Sequence, residues 1–183
     1  MMIRGVPGSG KSYLAAALKE SLGQDNVVVL DPDAIDQTDE AYLDFSRELR
    51  AEGVDERFHP YRFSRAQAYE AITAGKIIIW NQAFVNLDGF EKTVKNLQSF
   101  AEEHGVRLPL LVVEVAVGES IAKERIAKRE EMGGHGVPEE AFARFVGDYA
   151  SFSEKGYNVV AVNGENDVSV SVAAVKEALE GLS

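Results

Sequence analysis

Apolar residues along this chain fall into short unbroken runs, separated by stretches in which they recur every three or four positions. Unbroken runs suit strands buried on both faces, and their alternation with helical periods predicts a parallel α/β sheet. The expected strands are Met2 to Arg4, residues 26–30 (NVVVL), Ile77 to Ile79, Leu110 to Ala116 and residues 157–162 (YNVVAV). After the first strand, Leu14, Leu18 and Leu22 keep helical spacing. Phe90, Val94, Leu97 and Ala101 form a second helical stripe, with Lys92, Lys95, Gln98 and Glu102 between them, as a covering helix requires.

Residues 39–74 are longer than one crossover helix needs and read as two helices broken near EGVDERFHPY, an insertion suited to a substrate. Between 118 and 153 one helix ends near EEMGGHGVPEE, and Pro138 starts another whose stripe is Phe142, Phe145, Tyr149 and Phe152. Gly133, Gly134 and Gly136 disfavour regular structure between them, so residues 130–137 are expected to form a mobile lid. The last stretch alternates like a strand at DVSVSV, but Val168, Val172, Val175, Leu179 and Leu182 hold helical spacing, and a helix is expected.

A length of 183 residues leaves room for one domain, 1–183, and 45% hydrophobic with 27% charged residues is enough to bury a core unaided. The formal charge of −11 makes the average surface repel polyanions, so any phosphate site must be local and a long nucleic-acid footprint is disfavoured. With no cysteine, disulfides, thiolate metal sites and thiol nucleophiles are excluded together, which fits a reducing compartment, the cytoplasm by default. No apolar run reaches the ~18 residues of a membrane span, since LPLLVVEVAV carries Glu114; a soluble chain without membrane contact is expected.

Against that acidic background one segment stands out. Gly5-Val6-Pro7-Gly8-Ser9-Gly10-Lys11-Ser12 is a full GxxxxGK[ST] placed between a strand and a helix. Its glycines permit consecutive amides to point inward at an anion, and the following helix adds the positive end of its dipole. Gly5, Pro7, Gly8, Ser9, Gly10, Lys11 and Ser12 are therefore the expected ATP cradle, with Lys11 on the β- and γ-phosphates and the Ser12 hydroxyl on Mg²⁺. The second strand ends in Leu30-Asp31-Pro32-Asp33, at the carboxyl edge where doubly wound sheets bind ligands. A carboxylate there can accept the proton of an attacking hydroxyl or hold magnesium water; the alternative is that Asp33 caps the next helix while Asp31 is solvated.

These motifs resemble the small P-loop kinases that include the bacterial zeta toxins and the kinase domain of bacteriophage polynucleotide kinase. The resemblance spans nearly the whole chain, through RGVPGSGKS, LDPD, HPYRFSRAQAYEAI and IAKERIAKREEMGGHGVPEEAF, of which only the first is highly specific. It implies a single-domain P-loop NTPase with a five-stranded parallel sheet flanked by helices and a lid. Further, it implies Asp33 as catalytic base, Asp31 toward the metal, and lid arginines on the transferring phosphate. Arg125 and Arg129 lie four apart on one helix face, with Arg129, nearer the GGHG segment, the preferred clamp; a salt-bridged face beside Glu124 and Glu130 is the alternative. Arg65 matches a basic position of the zeta toxins, or is a surface residue like Arg62, and His59 reads as structural. An antitoxin-like protein partner is implied by the resemblance alone.

Two departures bear on the acceptor. Asp36 stands where family members often carry arginine, which makes an anionic acceptor less favoured. Strand three ends in Ile79-Trp80-Asn81-Gln82 rather than in an acid, so Asn81 can orient but not deprotonate, and Trp80 either stacks on an acceptor ring or belongs to the core. The leading expectation is an ATP-dependent kinase acting on a hydroxyl of a small molecule or nucleotide sugar. A polynucleotide or modified-base kinase, using Arg57, Arg62 and Arg65 on a nucleic-acid end, is the alternative enzyme, and a catalytically weak nucleotide-binding switch the alternative outside enzymes.

Overall fold

The computed structural model describes residues 1–182. Five strands, β1 (Met2–Arg4), β2 (Val27–Leu30), β3 (Ile77–Asn81), β4 (Val112–Ala116) and β5 (Val159–Asn163), form one parallel sheet in the order β2-β3-β1-β4-β5. The central strand is thus the one that runs into the glycine-rich turn. Because the chain passes from β2 to β3 on one side and from β4 to β5 on the other, the order reverses at β1. A crevice opens there beyond the carboxyl ends of the strands.

Helices α1 (Lys11–Leu22), α2 (Glu40–Ala51), α3 (His59–Thr73), α4 (Leu87–Glu103), α5 (Glu119–Glu131), α6 (Glu139–Gly147) and α7 (Val168–Glu180) supply the crossovers. Side chains alternate across the sheet, so neighbouring residues of one strand enter different cores. Ile3, Val113 and Val115 pack with Leu14 and Leu18 of α1 and Val175 of α7. Met2, Val112 and Trp80 face the other way, onto Ala68, Ala71 and Ile72 of α3 and Phe90, Val94 and Leu97 of α4. A third, small cluster joins Ala122 and Ile126 of α5 to Phe142 of α6.

The insertion takes the two-helix form expected of it. Asp39 caps α2 by accepting from the amides of Ala41 and Tyr42, and a short 3₁₀ turn at Glu56–Phe58, capped by Asp55, leads into α3. His59 is structural: its Nδ1 lies 2.7 Å from the Ser46 hydroxyl and its Nε2 lies 3.0 Å from the Val54 carbonyl. A carbonyl can only accept, which puts the ring proton on Nε2.

One expected stripe is cut short. Helix α6 ends at Gly147, so Tyr149 and Phe152 do not continue the face of Phe142 and Phe145. The cause is a buried ion pair on the sheet, Arg4 to Glu114 at 2.6 Å, between residues in register on β1 and β4. Arg4 donates to the Ala150 carbonyl at 2.7 Å, while Glu114 accepts from the Phe152 amide at 2.7 Å and the Ser151 hydroxyl at 2.8 Å. The guanidinium also lies over the rings of Tyr149 and Phe152, 4.1 and 3.6 Å from their centroids. Backbone groups that a continuing helix would use are consumed by this pair.

Candidate active site

The glycine-rich turn wraps from β1 into α1 with its tip under α5. Gly8 adopts φ of +80° and its Cα faces the Ala122 carbonyl so closely that a Cβ would collide with it. A side chain here is excluded both by conformation and by space. In this state Lys11 Nζ donates to the Val6 carbonyl at 3.0 Å, across the mouth of the turn. Burial lowers the Lys11 ammonium from its ordinary 10.5 to about 8, although the charges of Asp31 and Asp33 pull the other way.

Beside the turn, the carboxyl ends of β2 and β3 bring a polar chain together. Asn81 Nδ2 donates to Ser12 Oγ at 3.0 Å and to Asp31 Oδ2 at 2.5 Å. Its carbonyl oxygen Oδ1 is buried with no protein partner. Burial is the largest cause raising the Asp31 carboxyl above its usual range, the neighbouring Asp33 charge adds to it, and the Asn81 hydrogen bond opposes both. The capping role falls to Asp31: its Oδ1 accepts from the Asp33 amide at 3.2 Å and opens a 3₁₀ turn at Pro32–Ala34. Asp33 therefore caps nothing. Its carboxylate is exposed at the crevice, where Tyr61 of α3 approaches to 3.4 Å.

Arg125 and Arg129 lie in different surroundings. Arg125 Nη2 donates to the Gly164 carbonyl at 2.9 Å and Nη1 lies 3.4 Å from the Gly8 carbonyl, so this side chain sits against the cradle itself. Arg129, one turn on, donates to the His135 carbonyl at 2.9 Å, while its charge still reaches Lys11 and opposes protonation there. Gly134 closes the turn by donating to the Arg129 carbonyl at 2.9 Å. Around Arg125 a cavity of about 290 Å³ is lined by Gly10, Tyr13, Asn163, Gly164 and Asn166 among others. Gly164 approaches Ser9 so closely that no Cβ fits between them. The sequence reading missed this wall. Its signal was the Asn163-Gly164-Glu165-Asn166 cluster directly after a strand, at the ligand-binding edge.

On the other side of the crevice, Arg65 is half-buried on α3, one helical turn after Tyr61. Asp36 is exposed and accepts from the Thr38 amide at 2.8 Å and hydroxyl at 2.6 Å, in a turn of its own loop, and these bonds hold its carboxyl below the usual range, so it keeps its negative charge. The stacking role considered for Trp80 is corrected. Trp80 is 2% exposed among the residues under α3 and α4, with its indole donating to Gln82 at 3.0 Å, so it has no ring face to offer a ligand. Asn81 serves the Ser12 and Asp31 side rather than the acceptor side.

A parallel sheet in this order, with a GxxxxGK[ST] turn leaving its central strand, is a P-loop fold. Residues 1–151 match the family model described as an AAA domain. The chain belongs to that family. No curated protein matches it. Among solved structures, the AAA domain is similar to a sugar kinase from Janibacter sp., with 16% identity, a TM-score of 0.62, and coverage of 98% of this chain and 92% of that one. It is also similar to a gluconokinase from Sinorhizobium meliloti, at 18% identity and a TM-score of 0.58 over 99% and 91% of the two chains. A deoxyadenosine kinase from M. mycoides shares 16% identity at a TM-score of 0.55 over 100% and 98%. At these identities the likeness establishes the fold of the AAA domain, a single α/β unit with a five-stranded parallel sheet flanked by helices. Among the described residues no helix is long and apolar enough to cross a membrane.

Proposed function

We propose that this chain is an ATP-dependent phosphotransferase that moves the γ-phosphate of ATP to a hydroxyl of a small molecule or nucleotide sugar, in the manner of the zeta toxins. The observation that carries the reading is the convergence of Lys11, Ser12, Asp31 and Asp33 at one sheet edge, with both carboxylates near enough to act on the Lys11 charge. The amides of residues 5–12 and Lys11, once it leaves the Val6 carbonyl, hold the phosphates. The cavity beside Arg125 and Gly164 takes the nucleoside end. Arg129 then lies one turn toward the transferring phosphate, the position of a clamp on developing charge.

Asp33 is the base. Exposed at the crevice and free of capping duty, it takes the proton of the acceptor hydroxyl as the bond from that oxygen to the γ-phosphorus forms and the bond to the β-phosphate oxygen breaks. Arg65, one helical turn beyond Tyr61 on α3, serves the acceptor side, and Asn81 orients Asp31 and Ser12. Ser12 and Asp31 are the residues that would hold Mg²⁺, and the donor set fits: a hydroxyl, one carboxylate and the unpartnered Asn81 Oδ1, able to accept from a metal-bound water. When bound, the ion neutralises charge on the phosphates. No group of three or more acidic or histidine ligands occurs among the described residues, as suits a cation held largely by phosphates and water.

The similar structures include kinases of a sugar, of gluconate and of deoxyadenosine, which supports a small hydroxyl acceptor. Arg57 is paired with Asp55 at 3.2 Å and lies over Phe58, which weakens the case for a basic groove holding a nucleic-acid end. A cysteine-free chain of this kind suits the cytoplasm. The test is ADP release from Mg-ATP with and without gluconate, deoxyadenosine, a nucleotide sugar and a 5′-hydroxyl oligonucleotide. Stimulation by one of the small acceptors is expected. Stimulation by the oligonucleotide alone, or nucleotide binding with no turnover under any condition, overturns the reading.

A further inference from the structure

The base proposed above has a partner that its own strand does not supply. Tyr61 lies on the first turn of α3, across the crevice from β2, and its hydroxyl points at Asp33 Oδ1 from 3.4 Å. Apart from this contact, Asp33 is fixed only through its backbone, by Asp31. Its side chain is therefore otherwise free to turn about χ1, and a base that must meet one hydroxyl hydrogen loses rate with every rotamer that points elsewhere.

We infer that Tyr61 is a positioning residue for the phosphoryl transfer: its hydroxyl holds one carboxylate oxygen of Asp33 and leaves the other facing the acceptor. The inference rests on Asp33 being the base. Geometry supports it in three ways. A tyrosine hydroxyl donates to a carboxylate but cannot remove its proton-accepting capacity, because the second oxygen remains open. Tyr61 is 38% exposed, at the crevice and not in the core, so its hydroxyl stands on the same open side as the Asp33 carboxylate. And α3 belongs to the insertion, whose packing on the turn after β2 gives this helix a direct hold on the base. Burial, together with the Asp33 charge and the hydrogen bond to it, raises the Tyr61 phenol above its usual range, which keeps it a donor through neutral pH.

The experiment uses the full chain with Mg-ATP and water as acceptor, so no acceptor need be known. Tyr61→Phe keeps the ring and removes the hydroxyl. Turnover is expected to fall roughly 3- to 10-fold, the effect of losing one long hydrogen bond to a charged group, with KM for ATP unchanged. In an Asp33→Asn background the same change is expected to do nothing further, since the group it positions is gone. A merely structural tyrosine would lower the rate by the same factor in both backgrounds, and that additive result overturns the inference. So does full activity in Tyr61→Phe. Thermal melting of Tyr61→Phe is measured alongside, and should match the parent. If Asp33→Asn itself keeps full turnover, the failure lies with the base assignment, which is thereby told apart from the failure of Tyr61 alone.

Discussion

Asn81 donates one amide group to two partners, Ser12 Oγ and Asp31 Oδ2, and so ties the cradle helix to the end of β2 through β3. An acid at position 81 would face Asp31 with like charge. Instead a neutral amide holds the Asp31 carboxylate in place.

Replacing Asn81 by Asp should therefore lower the melting temperature in the absence of magnesium, through repulsion between a buried carboxylate at 81 and the partly buried one of Asp31. A loss of about 1 kcal/mol corresponds to roughly 2–4 °C for a domain of this size. Magnesium should recover much of it. Melting curves with and without the ion check this, and equal loss in both conditions would contradict the arrangement.

Lys11 gives a pH dependence with a definite sign. Burial lowers its pKa to about 8, so it is charged below that pH and increasingly neutral above. Bound polyphosphate favours the charged form. ATP-analogue affinity should then fall as pH rises past 8, and binding near pH 8 should take up protons, seen as a dependence of calorimetric heat on buffer ionisation. Lys11→Ala should abolish both the binding and this proton uptake.

For the chemistry, Asp33→Asn should lower turnover by roughly 10²- to 10⁴-fold with little change in ATP affinity, as expected of a group acting in the transition state. Asp31→Asn should weaken magnesium dependence instead. Steady-state rates and nucleotide titrations of the two variants separate the roles, and an exchange of the two phenotypes would reverse the assignment.

The buried pair Arg4 and Glu114 predicts a stability effect. Glu114→Ala strands a fully enclosed guanidinium and frees the Phe152 amide and Ser151 hydroxyl, so a loss of about 3–5 kcal/mol is expected in denaturant unfolding. Replacing both members by apolar residues of similar volume should cost less than the single change.

Strands and crossover helices were legible because a parallel sheet buried on both faces leaves unbroken apolar runs, which few other structures do. The glycine-rich turn between β1 and α1 was legible because its glycines and Lys11 are adjacent in sequence. What could not be read depended on residues brought together from afar. Helix α6 stops early because of Arg4 and Glu114, which lie 110 positions apart, and no local pattern around Phe152 shows that pair. Trp80 and Asn81 extend β3 beyond its isoleucines, and the alternation of the strand then sends the indole into the core, while the amide reaches Ser12 and Asp31. The reading of Trp80 as a stacking platform failed on direction: residue type gave the chemistry of the side chain, not the way it points.

The clasp of Arg4 and Glu114 on residues 150–152 also has a mechanical meaning for α6, which ends at Gly147 just before it. The chain leaving that helix is bolted to the central strand β1 and its neighbour β4, immediately behind the glycine-rich turn. Were residues 130–137 to close over a nucleotide, α6 could follow them only by pivoting about this anchored end.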